Sequence, residues 1–131
     1  MNARIALFAA LPALALSACS YERPAERPPV SPAAEVIGEP RNCISLTQIR
    51  ATRVRDDYTI DFEGPGNKVW RNTLTNRCPG LTSQDAFTYK TSLSQLCSNE
   101  IIYVLDRVGG ELQRGAGCGL GPFVPVKLAK D

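Results

Sequence analysis

Between Thr52 and Glu63 apolar and polar residues change places one for one. In Tyr58-Thr59-Ile60-Asp61-Phe62-Glu63 the larger apolar side chains fall on even positions and the polar ones on odd positions. A strand sends successive side chains to opposite faces, so this pattern predicts a half-buried β-strand. Thr52 and Val54 continue the even face upstream, with Arg53 and Arg55 on the other. The two stretches bury one face as a hairpin when paired positions sum to an even number. A register pairing Val54 with Tyr58 and Thr52 with Ile60 does so, leaving Arg55-Asp56-Asp57 as the loop. A slip of one residue would bury the arginines, so the face is strongly specified.

Gly64-Pro65-Gly66-Asn67 is a strong turn signal, and Lys68 to Leu74 returns as a strand with Trp70 inward. Phe87 to Thr91 and Glu100 to Asp106 supply further strands. The nearly unbroken apolar run Ile101 to Leu105 predicts burial on both faces, and Gly109-Gly110 turns the chain back toward Leu112. Phe123-Val124-Pro125-Val126 reads as an edge or irregular strand, because Pro125 has no N–H for a ladder. Helix signals are short: Ser45 to Arg50, and Ser83 to Ala86 with Ser83 as its cap. The expected fold is all-β, a small antiparallel meander or partly closed barrel stapled by disulfides.

The first residues follow another rule. Arg4 precedes a 14-residue apolar run, Ile5 to Ala18, interrupted by Pro12. A spanning helix needs about 20 apolar residues, so this run predicts a secretory signal peptide over residues 1–18. It ends in Leu16-Ser17-Ala18-Cys19, which resembles the lipobox of bacterial lipoproteins. That resemblance implies a diacylglyceryl group on the Cys19 thiol, cleavage before Cys19, and acylation of the new amino group. Ser20, where an aspartate often retains lipoproteins at the inner membrane, implies an outer-membrane home facing the periplasm.

Residues 20–41 hold Pro24, Pro28, Pro29, Pro32 and Pro40 among Glu, Arg, Ala and Ser. This composition predicts a disordered, semi-extended linker after Cys19 and a single folded domain over residues 42–131. At about 3.1 Å per residue such a linker reaches roughly 65 Å, letting the domain stand off the bilayer.

The 131-residue chain carries a formal net charge of +2, which gives no electrostatic case for nucleic-acid binding. Histidine is absent, which removes the common general base, the commonest metal ligand and every Ser-His or Cys-His pair. Cys43, Cys78, Cys97 and Cys118 form an even set in an exported chain and predict two disulfides. Their gaps of 35, 19 and 21 residues contain no CxxC pair, which opposes a zinc ribbon or a thioredoxin-like site. Three connectivities are open. Hairpin geometry favours Cys97–Cys118 with Cys43–Cys78, and the main alternative is Cys78–Cys97 with Cys43–Cys118.

The run Cys43-Ile44, Ile49-Arg50, Thr52, Val54, Asp56-Asp57, Thr59-Ile60 and Phe62 is followed by Asn72, Leu74, Cys78-Pro79-Gly80-Leu81 and Cys97. The close is Cys118-Gly119-Leu120-Gly121-Pro122-Phe123-Val124-Pro125. Together, over residues 42–126, these resemble a proteobacterial family of small exported proteins catalogued as domain of unknown function 6491. The resemblance implies an envelope location and carries no activity.

Three constellations carry candidate chemistry. Asp57, Asp61 and Glu63 share an odd, outward face, and Asp61 with Glu63 could serve a cell-wall hydrolase as a carboxylate pair. Solvent and the nearby arginines point instead to a solvated strand face. Hard oxygen ligands are present there for calcium, but no loop motif organises them. Arg50, Arg53, Arg55, Arg71 and Arg77, near Tyr58 and Trp70, could form a binding face for a glycan, an anionic lipid or a partner protein. The favoured account makes Trp70 core and pairs the arginines with the acidic stripe. The glycine run Gly115 to Gly121 lacks the Lys-Ser/Thr ending of a phosphate loop and reads as a tight turn beside a disulfide. No cofactor and no metal site are expected. The functional expectation is an envelope lipoprotein acting as a binding or structural module, anchored to the membrane at Cys19. Its rivals are the hydrolase and an inhibitor of an envelope-attacking hydrolase.

Overall fold

The computed structural model describes residues 26–91 and 93–130. The signal peptide and Cys19 lie outside the described residues. Half of the described residues are in strands, and the single helix among them is shorter than seven residues. The strands are β1 (Ala34–Val36), β2 (Cys43–Ser45), β3 (Ala51–Asp56), β4 (Thr59–Glu63), β5 (Val69–Thr73), β6 (Phe87–Tyr89), β7 (Gln95–Cys97), β8 (Ile101–Val108), β9 (Glu111–Gly119) and β10 (Phe123–Leu128). The helix α1 spans Leu81–Gln84, and single 3-10 turns occupy Leu46–Gln48 and Pro65–Asn67.

All pairings are antiparallel and form three sheets, ordered β1-β10-β5-β4-β3, β2-β7 and β6-β8-β9. The all-β expectation is met; the sheets do not close into a barrel. The inner face of the five-stranded sheet contributes Ile60, Phe62, Trp70 and Phe123 to one core, joined by Ile102 and Val104 of β8 and Ile44 and Leu96 of the ribbon. Phe62 lies edge-on to Phe123 at 5.4 Å and to Phe87 at 6.4 Å, so one ring links two sheets.

The β3–β4 hairpin keeps the expected face but not the expected register. Val54 opposes Ile60 and Thr52 opposes Phe62, a shift of two, which preserves every side chain's face. The shift arises because the turn contains only Asp57 and Tyr58. Asp56 Oδ1 accepts the Tyr58 N–H at 2.7 Å and closes that turn with its own side chain. The residue saved reappears as a bulge at Arg55, between the Val54–Ile60 and Asp56–Thr59 pairs.

β10 is interior rather than an edge. β5 flanks it on one side, and the chain from Ala33 to Arg41 on the other. Pro125 turns its nitrogen toward β1 just where β1 ends, so no ladder bond is lost within the paired stretch. Its carbonyl still accepts the Ile37 N–H at 3.0 Å, and Arg41 then exchanges two bonds with Phe123, each 2.8 Å. The folded region therefore begins well before residue 42, because β10 takes its neighbour from the proline-rich segment. β8 also differs from expectation. Ile102 and Val104 are fully buried, but Ile101 is 43% exposed, since only one face of β8 meets the core.

The disulfides take the third connectivity. Cys43 pairs with Cys97 and Cys78 with Cys118, with Cα separations of 4.0 and 5.7 Å. The favoured Cys97–Cys118 pairing fails because Cys118 lies opposite Ile102, while Cys97 sits on the separate ribbon directly opposite Cys43. The two closures overlap in sequence, spanning separations of 54 and 40 residues. Each alone would stabilise by about 4 kcal/mol through the unfolded chain.

Candidate functional site

Register places the sequence's candidate residues with little freedom. Arg53 opposes Asp61, Asp61 opposes Arg71, and Arg71 opposes Val124, so these share the outer face of the five-stranded sheet. The next row is Glu63, Val69, Val126 and Val36. The outer face is thus charged where Arg53, Asp61 and Arg71 line up across β3, β4 and β5, and apolar at Val69 of β5, along β10 and at Val36 of β1.

The charged half is not a solvated stripe. Asp61 has no exposed surface. Arg71 Nε donates to Oδ1 at 2.7 Å and Arg71 Nη2 to Oδ2 at 2.9 Å, and Arg55 Nε donates to Oδ2 at 2.8 Å. The bulge at Arg55 aims its side chain diagonally at Asp61. A cover comes from the segment expected to be a free linker: Arg71 Nη2 also donates to the Pro32 carbonyl at 3.0 Å, 39 positions away. Glu63 meets Arg53 at 3.3 Å on a more exposed part of the same face.

Asp57 does not join this face. It sits in the hairpin turn and accepts from Thr82 N at 3.0 Å, Thr82 Oγ1 at 2.7 Å and Arg77 Nη2 at 2.8 Å. The N-cap of α1 is therefore Gly80 rather than Ser83, and the Asp57 carboxylate, from 25 positions away, accepts the free Thr82 N–H of its first turn. The hydrogen bonds from Thr82, and then the Arg77 guanidinium, hold the Asp57 carboxyl below its ordinary value of 3.8.

The candidate cationic and aromatic face divides, as the favoured account of Trp70 and the arginines expects. Trp70 is 4% exposed and belongs to the core, on the sheet face opposite Arg71. Arg53, Arg55 and Arg71 spend their charge on Glu63 and Asp61, and Arg50 is exposed at the start of β3. Tyr58 lies in the turn, with the Arg27 guanidinium 4.3 Å from its ring centre. Arg27, Arg55, Arg77, Tyr58 and Thr82 line an open groove of about 530 Å³ between the turn and residues 27–31. Arg27 was outside the sequence reading, because nothing local marks a linker residue that docks.

A second surface feature is the β8–β9 hairpin, whose distal half projects from the core. Gly109 and Gly110 adopt φ of +58° and +86°, the left-handed pair a two-residue hairpin turn requires. Val108 and Leu112 beside it are 54% and 58% exposed. No family model, no curated protein and no solved structure matches this chain.

Proposed function

We propose that this chain is a non-catalytic envelope lipoprotein, held at a membrane by lipid on Cys19, whose disulfide-stapled β-domain binds or braces another envelope component. The carrying observation is the state of Asp61. A general acid or base must come within about 2.6–3.2 Å of a substrate proton. Asp61 is closed to solvent, and both its oxygens are engaged by guanidinium N–H groups. Glu63 stands about 6.6 Å along the strand, a spacing that would suit a glycosidase pair, but it lacks an accessible partner. Two disulfides favour an oxidising compartment outside the cytoplasm.

One observation favours a more specific reading as inhibitor: the projecting turn with exposed Val108 and Leu112. A rigid hairpin with an apolar tip is the shape that enters another protein's cleft. The test is photo-crosslinking in living cells from Leu112, with capture from Lys90 as the off-site comparison. A discrete adduct from Leu112 supports a protein-binding role. Release of fragments from purified cell wall by the mature protein, abolished in Glu63→Gln, would replace this proposal with the hydrolase.

A further inference from the structure

Among the described residues β9 is the longest strand, nine residues from Glu111 to Gly119, and it lies at the edge of its sheet. β8 pairs with one side of it, and no strand pairs with the other. Hydrogen bonds elsewhere fix which of its backbone groups point outward. The Leu105 N–H donates to the Ala86 carbonyl at 3.0 Å, so Leu105 turns its backbone groups toward β6. Arg114, directly opposite Leu105, then turns its own N–H and C=O out of the sheet, and Leu112, two positions along, does the same. At the far end the Gly119 carbonyl accepts the Thr75 N–H at 3.2 Å on this outer side, which sets Gly117 outward as well. Among the described residues no backbone group bonds the outward N–H and C=O of Leu112, Arg114 or Gly117.

Alternation along the same register sorts the side chains above this edge. Ile102, Val104 and Cys118 point into the core, which puts Tyr103 with Gly117, Leu105 with Arg114, and Arg107 with Leu112 on the outer face. A bulge at Gly115 and Ala116, opposite Val104, keeps both halves of β9 in phase with β8. Asp106, paired with Gln113, and Glu111, paired with Val108, fall on the opposite face. Thr88 completes the outer face on β6. The strand residues of this face therefore include Arg107 and Arg114 and no carboxylate. Both arginines are exposed, and neither makes an ion pair among the described residues. The Arg114 guanidinium stands 5.0 Å from the Tyr103 ring centre.

We propose that the free edge of β9 takes up an extended acidic segment of another protein, which adds antiparallel to Glu111–Arg114 as a fourth strand of this sheet. This rests on the reading of the β8–β9 hairpin as a partner-binding element, and it supplies the mode of binding and the chemistry of the partner. Unpaired main-chain groups are a template for strand addition. In an antiparallel ladder, a residue bonded opposite Arg114 places its side chain on the arginine face, where a carboxylate complements Arg114 and Arg107. A second copy of this chain is the poorer occupant. Two-fold pairing keeps outer face with outer face, and so gathers four arginines on one surface.

The test is amide hydrogen exchange, read residue by residue by NMR, on the acylated mature protein in uncharged detergent micelles. The probe is a capped peptide alternating glutamate with threonine. It should protect the Leu112 and Arg114 amides, and the Gln113 amide, already bonded to β8, reports in every variant that the hairpin is folded. Lysine in place of glutamate, or Arg114→Glu in the protein, should weaken binding by about tenfold, because like charges then stand opposite. Methylating the glutamate nitrogens, which face β9 when a glutamate stands opposite Arg114, should abolish protection; methylating the threonine nitrogens, which face away, should leave it. Protection that survives glutamate methylation, or that the lysine peptide matches, would overturn the proposal. So would protection of the same amides that grows with protein concentration alone, the mark of a second copy. An adduct from Leu112 in cells with no protection by the peptide would overturn strand addition and leave the hairpin as the contact. Protection by the peptide with no adduct from Leu112 would overturn instead the reading of the hairpin as a partner-binding element, and this proposal with it.

Discussion

Arg71 grips Asp61 with two near-parallel N–H···O bonds, 2.7 Å from Nε and 2.9 Å from Nη2, between directly opposed positions of adjacent strands. This fork-to-fork geometry is the strongest form of charge-assisted hydrogen bond a side-chain pair can make. Arg55 adds a third donor, and the Arg71 side chain is only 12% exposed. Removing the carboxylate leaves two arginines facing each other with little water. Asp61→Ala should therefore destabilise the domain by about 3–5 kcal/mol, the cost of orphaning buried charge. Urea unfolding of Asp61→Ala, Arg71→Ala and the double variant measures it. A double variant no less stable than either single one is expected; additive losses would show that the pair is not coupled.

Asn72 ties the strand beside Arg71 to the approach of β10. Its Nδ2 donates to the Gly121 carbonyl at 2.7 Å, and its Oδ1 accepts the Gly121 N–H at 2.9 Å, with the side chain fully buried. Asn72→Ala strands two backbone groups away from water and should cost about 2–4 kcal/mol. Gly121→Ala should be comparably harmful for a steric reason, since a Cβ there would stand 2.2 Å from the Thr73 carbonyl oxygen. Thermal unfolding of both variants decides; near wild-type midpoints would contradict the bridge.

The strands were legible in the sequence and their company was not. Alternation in residues 52–63, the Gly64–Asn67 turn and Gly109-Gly110 each announced an element, because local sterics and burial of one face act within a few residues. The face of Asp61 was also legible; its burial was not, because Arg71 reaches it from 10 positions away and Pro32 covers Arg71 from 39. The same distance problem hid the hydrogen bonds from α1 to Asp57 and the pairing of Cys43 with Cys97. Ala34-Glu35-Val36 carries almost no strand signal within a proline-rich stretch, and pairs because β10 offers a ready edge.

That edge makes a further prediction. A chain beginning at Asn42 loses the Ile37 and Arg41 bonds to β10, the Ala33–Ala129 bond and the Pro32 cover on Arg71. At about 0.5–1.5 kcal/mol for each backbone bond, it should be less stable than a chain beginning at Glu26 by roughly 2–6 kcal/mol. Hydrogen exchange should show Ile37 and Arg41 amides protected in the longer chain. Equal stability of the two chains would show that residues 26–41 behave as a free linker.

The last prediction concerns acid. Asp57 accepts two hydrogen bonds from Thr82 and one from Arg77, and these favour its charged form in the folded state. Asp56, Arg55 and Tyr58 face the same groove, and Asp56 is spent on the Tyr58 amide. The folded carboxyl thus ionises below the unfolded value of 3.8, and the unfolded chain binds the extra proton as pH falls. The contribution is complete above that value and is lost as pH drops through the folded one. Asp57→Asn cannot ionise, so its stability deficit relative to wild type should be constant near neutral pH and shrink below about pH 4. Urea midpoints for both proteins from about pH 7 to about pH 2 give the difference curve directly. A deficit that stays flat to the acid limit, or one that grows on acidification, would show that the charge of Asp57 does not hold the turn to α1.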